Sequence, residues 1–159
     1  MKRTSIRTTL LAFLAFGFFA GCDDDKASAT SVPAPVVSTD PAALVGSWEI
    51  TGKPDASGGV TLTNDGKIGI SMKMVSGATV NYTKLTGTYT ATAGRVISNI
   101  NVGKMSFDGA TWSDIPEYTP EADTATFRIE DGTKLIHTSK GDDGAMETDT
   151  YVKSTKSFL

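Results

Sequence analysis

The chain reads as an all-β domain that closes into an antiparallel, up-and-down barrel of about eight to ten strands. Three observations carry this reading. Residues 67–74 alternate cleanly, with Ile68, Ile70, Met72 and Met74 on one face and Lys67, Ser71 and Lys73 on the other. Threonine, whose branched Cβ suits a pleated strand, occurs 23 times, and no long apolar period of 3.6 residues is present. Short turn sequences separate the runs, and antiparallel neighbours join through a few residues where parallel ones need a long crossover. A meander that closes on itself removes its exposed edges. A β-sandwich is the alternative, although the Cys–Trp–Cys spacing of immunoglobulin domains is missing.

In chain order, the candidate strands are residues 44–51, 60–64, 67–74, 79–91, 95–102, 104–107, 124–130, 133–139 and 145–153. Asn64-Asp65-Gly66 and Asp131-Gly132 supply the positive-φ residues of tight hairpins. Gly141-Asp142-Asp143-Gly144, Ser76-Gly77 and Ala93-Gly94 serve the same purpose. Within 79–91 the apolar phase shifts from Val80 and Tyr82 to Leu85, Tyr89 and Ala91, which predicts a bulge near Thr83-Lys84. The longest irregular stretch, 112–120, is expected to cross a barrel end as a strap. One side of the strands is rich in Lys, Thr, Ser and Asp, which suits water outside an apolar core rather than a lipid-facing barrel.

Ahead of this domain, Lys2, Arg3 and Arg7 precede an apolar run from Leu10 to Ala20 and then Gly21-Cys22. Residues 1–21 have the form of an export leader, and the run is short of the ~20 residues that span a bilayer. Phe19-Ala20-Gly21-Cys22 resembles the lipobox of bacterial lipoproteins, with Phe19 in place of the usual leucine. That resemblance implies cleavage before Cys22, a diacylglyceryl thioether on its sulfur and acylation of the new amino terminus. Several acyl chains at ~0.8 kcal/mol per buried methylene make a stable anchor. Cys22 is the only cysteine, so lipidation leaves no thiol for disulfides or a cysteine–zinc site. Asp23-Asp24-Asp25 directly afterwards resembles envelope sorting signals, of inner-membrane retention in some bacteria and of surface export in others. Residues 22–43, rich in Ala, Ser, Thr, Val and Pro, read as an extended tether, which leaves 44–159 as one domain. Removing Lys2, Arg3 and Arg7 from the 15 basic side chains leaves 12 against 18 acidic ones, a formal charge of −6. Such a balance gives no electrostatic reason to bind nucleic acid.

Within the domain, Leu44-Val45-Gly46-Ser47-Trp48 resembles the L-x-G-x-W opening of bacterial lipocalin-like domains. Leu62-Thr63-Asn64-Asp65-Gly66-Lys67, Leu85-Thr86-Gly87-Thr88-Tyr89, residues 128–137 and Thr150-Tyr151-Val152-Lys153 fit the same cadence. The resemblance covers most of residues 44–153. It implies a small barrel with Gly46 and Trp48 on the first strand, the indole closing one end of the core, and no catalytic residues. Fold-level analogy says little about function beyond that.

Motifs that carry chemistry are few. His137 is the only histidine, and serines and threonines are too plentiful for one to stand out as its nucleophile. G-x-S-x-G, P-loop and dinucleotide fingerprints are absent, so no catalytic residue is assigned and the chain reads as non-enzymatic. Asp131, Asp142, Asp143 and Glu147 lack EF-hand spacing and read as a solvated acidic turn. Thioethers suit copper(I), but Met72, Met74, Met105 and Met146 read more simply as adaptable packing, and no metal or cofactor is assigned. Two functional classes remain. One is a binding module whose interior, lined by Ile70, Met72, Met74, Tyr82 and Phe127, admits a small hydrophobic ligand. The other is a filled barrel that contacts another envelope protein through Trp112, Ile115 and Tyr118.

Overall fold

The computed structural model describes residues 34–115, 121–141 and 143–159. The leader, residues 22–33 of the tether with Cys22, Tyr118 and Asp142 lie outside the described residues. In order along the chain come β1 (Val37–Ser38), a one-turn helix α1 (Pro41–Leu44), β2 (Gly46–Thr51), β3 (Ala56–Leu62), β4 (Lys67–Ser76) and β5 (Thr79–Thr92). They are followed by β6 (Arg95–Ser106), β7 (Ser113–Asp114), β8 (Glu121–Glu130), β9 (Lys134–Lys140) and β10 (Met146–Ser154). Eight of these strands close a single antiparallel sheet in the order β2-β3-β4-β5-β6-β8-β9-β10, with β10 returning to β2. The fold is therefore the up-and-down barrel that alternation and short turns predict, and the sandwich is excluded by its closure.

Two short strands extend the sheet where long neighbours outrun their partners. β1 pairs with the end of β8, Val37 opposite Glu130, and β7 pairs with the end of β6, Lys104 opposite Asp114. The ordered domain thus starts before Leu44, inside the stretch that composition assigns to the tether. Proline bars a ladder position but suits the first turn of a helix, and Pro41 takes that place in α1. Asp40 caps the turn, its side chain accepting from the Ala42 N–H at 2.9 Å.

Helix α1 plugs one end of the barrel. Trp48 is 0 % exposed there, and its indole N–H donates to the Leu44 carbonyl at 2.8 Å. Around it pack Leu44, Leu62, Ile68, Tyr89, Val96, Ile100, Phe127, Ile129 and Leu135. The Tyr89 hydroxyl donates to the Thr63 carbonyl of the β3–β4 turn at 2.9 Å, so burying it leaves no donor unpaired. Outside the sheet, Thr61 is buried because the chain after β10 folds back across β3. Phe158 donates its N–H to Thr61 Oγ1 at 2.9 Å, in a groove that Gly59 and Gly69 leave open.

The bulge lies elsewhere than the sequence phase predicts. β5 pairs with β4 in one register from Thr79 to Thr88, and the irregularity falls in its pairing with β6, where Ile100 lies opposite Gly87 and Val102 opposite Thr86, leaving one extra residue in β6. It merges the two predicted runs 95–102 and 104–107 into one strand whose inner face changes parity from Ile100 to Gly103. A side chain at Gly87 would collide with the Asn99 carbonyl oxygen, so this crossing needs a residue without a Cβ.

Two stability outcomes follow, both readable by urea unfolding. Trp48→Ala should cost about 3–5 kcal/mol through the cavity it leaves, whereas Trp48→Phe should cost less, about 1–3 kcal/mol, chiefly for the orphaned Leu44 carbonyl. Gly87→Ala should cost about 1–3 kcal/mol by forcing the bulge apart; an unchanged midpoint would show that the strands yield there freely.

Candidate functional site

Directly opposed residues of an antiparallel pair share a face, so register assigns every strand residue to the inside or the outside. Val60 and Ile70 are partners that pack on the core, and the same inner face continues through Gly58, Met72, Thr83 and Met105, then Ala56, Met74 and Asn81. Across the barrel the inner face carries Ile129, Leu135, Tyr151 and Ile50 at one level. Phe127, His137 and Asp149 form the next level, and Ser139 and Glu147 the one beyond. Asp123, opposite Ser98, also faces inward. In a cycle of eight strands, β4 stands opposite β9. A wall of thioethers and aliphatic groups therefore faces a wall of imidazole, phenol and carboxylate at the end away from α1.

The polar wall is built by register on β9 and β10. His137 lies edge-on to Tyr151, with ring centroids 6.4 Å apart at an interplanar angle of 90°. His137 Nδ1 is sealed from solvent and has no hydrogen-bond partner. Asp149 Oδ1 is sealed too; Lys53 Nζ stands 2.8 Å from it, yet outside the alignment of a hydrogen bond. Burial lowers the His137 pKa below its ordinary 6.5, although Asp149 and Asp123 pull it back up. Burial also raises the Tyr151 hydroxyl far above its usual range, helped by the Asp149 charge. At neutral pH the wall thus presents a neutral imidazole, with one donor and one acceptor nitrogen, and a neutral phenol beside a carboxylate. Among the described residues, no three His, Cys, Asp or Glu side chains converge as metal ligands.

The ligand residues read from sequence separate into three groups. Ile70, Met72 and Met74 line the inner face, half-buried, as expected. Phe127 also points inward but is 3 % exposed and belongs to the sealed core, directly beside His137. Tyr82 does not line the interior. It pairs with Lys73 on the outer face, whose ammonium lies 5.9 Å from its ring centroid, and Gly109 packs on its other side. Met105 reaches the interior, whereas Met146 is 66 % exposed and shares the outer face with Lys140.

The presumed strap is a hairpin arm over its described part. Trp112 lies on the outer face under Lys84, whose ammonium is 4.7 Å from its ring centroid. Ile115, half-buried, continues the β7 pairing by donating its N–H to the Gly103 carbonyl at 3.0 Å. Asp108 braces the turn between β6 and β7. It accepts from the backbone of Ala110 at 2.8 Å and Thr111 at 2.7 Å, and these bonds hold its carboxyl far below the usual range. A hollow of about 290 Å³ lies between this turn and the ends of the two strands, lined by Met105, Phe107, Asp108 and Ser113 among others. The sequence marks none of Asp149, Tyr151 and Lys53 as a site residue; the β9–β10 register brings Asp149 and Tyr151 to His137, and the β2–β3 turn brings Lys53 to Asp149.

No family model matches the chain, and a search of curated proteins finds none that matches it.

The depressed His137 pKa has a definite sign for stability. Below its ordinary value of 6.5 the unfolded chain takes up a proton that the folded chain resists, so acidification favours unfolding. The carboxyls held low in the fold, such as Asp65 at about 2, add their own loss only in stronger acid. Because His137 is the only histidine, stability should decline from about pH 7 to about pH 5, and His137→Gln should flatten that part of the profile. Urea midpoints taken across the window check it; parallel profiles for the two proteins would remove His137 as the cause.

Proposed function

We propose that this chain is an envelope lipoprotein, anchored to a membrane through acylated Cys22, whose lipocalin-like barrel takes a small hydrophobic ligand into the end opposite α1. The observation that carries the ligand reading is the contrast between the two halves of one closed sheet. Near α1 the inward side chains of Trp48, Leu62, Ile68, Ile129 and Leu135 are sealed; farther along, Ile70, Met72, Met74, Leu85 and Met105 face inward and yet remain half-buried. Water thus reaches apolar groups that a filled barrel would cover. Flexible thioethers suit a lining that adapts to its guest. Val75, Phe107 and Met146, all exposed, add apolar surface at the strand ends of the same half. The anchor rests on the basic leader, its apolar run and Ala20-Gly21-Cys22, and the acidic cluster that follows leaves the choice of membrane to the sorting machinery. The role is binding rather than catalysis.

A contact role with another envelope protein has one observation in its favour. Phe107, 67 % exposed, and Trp112 sit in a turn held rigid by Asp108, and rigid aromatic groups suit interaction hot spots. Ile115 would extend that surface.

Each part has its own test. Metabolic labelling with palmitate should mark the wild-type chain, and Cys22→Ala should lose both the label and membrane fractionation; a Cys22→Ala chain that still carries label would remove the anchor. For the ligand, N-phenyl-1-naphthylamine should bind the mature chain saturably with brightened emission. Replacing Met72 and Met74 together by Gln should weaken it about tenfold at unchanged fold. Emission no brighter than with the urea-unfolded chain would end the ligand reading.

A further inference from the structure

Resting on the ligand reading above, we propose that the open half of the barrel selects molecules whose apolar body ends in a protonated amine, held by His137 and Asp149 in the place now taken by Lys53. His137 Nδ1 is sealed without a hydrogen-bond partner, and beside it the sealed Asp149 Oδ1 has the Lys53 ammonium at 2.8 Å as its ionic partner. His137 and Asp149 are direct partners in the β9–β10 ladder, so both face the same corner of the interior. An unsatisfied buried polar atom costs about 1–3 kcal/mol, and a native fold keeps few of them without a use.

The chemistry of the missing partner follows from what these atoms can do. A carboxylate oxygen only accepts, and the neutral imidazole offers one accepting nitrogen. A group with several N–H donors and a positive charge satisfies both, and charge-assisted bonds are the stronger kind. A carboxylate or phosphate head would instead meet Asp149, Asp123 and Glu147, all on the inner face.

Charge is sorted by face in the same sense. Lys67, Lys73, Lys84, Arg95, Lys104, Arg128, Lys134 and Lys140 all point outward by register. Among the described strand residues, the one inner-face cation is Lys153, and it lies over Trp48 at the closed end, 5.1 Å from the ring centroid. The open half thus has a carboxylate wall with no strand cation to answer it, opposite a wall of Met72, Met74 and Met105. Its only ammonium comes from the β2–β3 turn. Lys53 reaches in to 2.8 Å from Asp149 without forming an aligned hydrogen bond, and its side chain stays 35 % exposed. In the proposed site it is the chain's own stand-in for the amine, which a ligand ammonium would displace.

Competition for bound N-phenyl-1-naphthylamine tests the assignment with three probes of equal chain length: n-octylammonium, n-octanol and octanoate. Wild-type mature chain should prefer the ammonium by about tenfold over both others. Asp149→Asn should abolish the preference while leaving n-octanol unchanged, and Lys53→Gln should strengthen only the ammonium. Opposite shifts from the two variants are not what a merely structural ion pair produces, and Lys53→Gln decides alone if Asp149→Asn fails to fold. Equal affinity for the three probes, as when water alone fills the corner, overturns the head-group assignment and leaves the apolar site standing. Failure of every probe to compete overturns both.

Discussion

Trp48 occupies the point where the first barrel strand, the last barrel strand and the plugging helix meet. Its indole N–H satisfies the carbonyl of Leu44, the last residue of α1, one of the acceptors that a helix end leaves without an internal partner. Its partner in the ladder is Lys153 of β10, whose ammonium stands over the same ring. One side chain therefore ties the plug to the sheet and sits on the seam where β10 closes on β2. A closed sheet has no free edge to fray, but the closure depends on contacts between chain segments about a hundred residues apart, which are costly to bring together. A large aromatic group at the seam repays that ordering through burial and one hydrogen bond at once.

The regular part of this architecture is legible from the chain itself. Alternation at 67–74, the turn chemistry of Asn64-Asp65-Gly66 and Asp131-Gly132, and the pairing of Gly46 and Trp48 on the opening strand all stand as read. Failure concentrates where hydropathy and face disagree. In the open half of β5 the inner face is Asn81 and Thr83, while Val80 and Tyr82 lie outside, Tyr82 beneath the β6–β7 turn. Apolar phase alone then exchanges the two faces, which is why Tyr82 reads as lining and a bulge is assigned to Thr83-Lys84. The true bulge, in β6, leaves only a change of parity between Ile100 and Gly103, and Gly87, whose missing Cβ admits it, lies on a different strand.

The candidate site is legible in its apolar wall and hidden in its polar one. Ile70, Met72 and Met74 announce themselves by period and face. His137, Ser139, Glu147 and Asp149 look like the solvent side of two hairpin strands, because these inward residues are as polar as the outward ones beside them. Being the only histidine makes His137 conspicuous without saying what it meets. Its neighbours Phe127, Asp149 and Tyr151 come from two other strands, and no local rule relates them.

The two halves divide the work of the barrel along its axis. Near α1, the sealed aromatic and aliphatic side chains supply the stability that a domain of this size holds only marginally. That surplus lets the far half keep groups that oppose folding: a desolvated neutral imidazole without a partner on Nδ1, a largely buried carboxylate held by one partly exposed lysine, and half-buried methionines. A barrel selected for rigidity alone would replace His137 and Asp149 with aliphatic side chains, since well-packed apolar groups of similar volume commonly equal or exceed a buried ionic pair. Their position on the inner face, opposite a wall without charge, suits them to the proposed role of specificity elements.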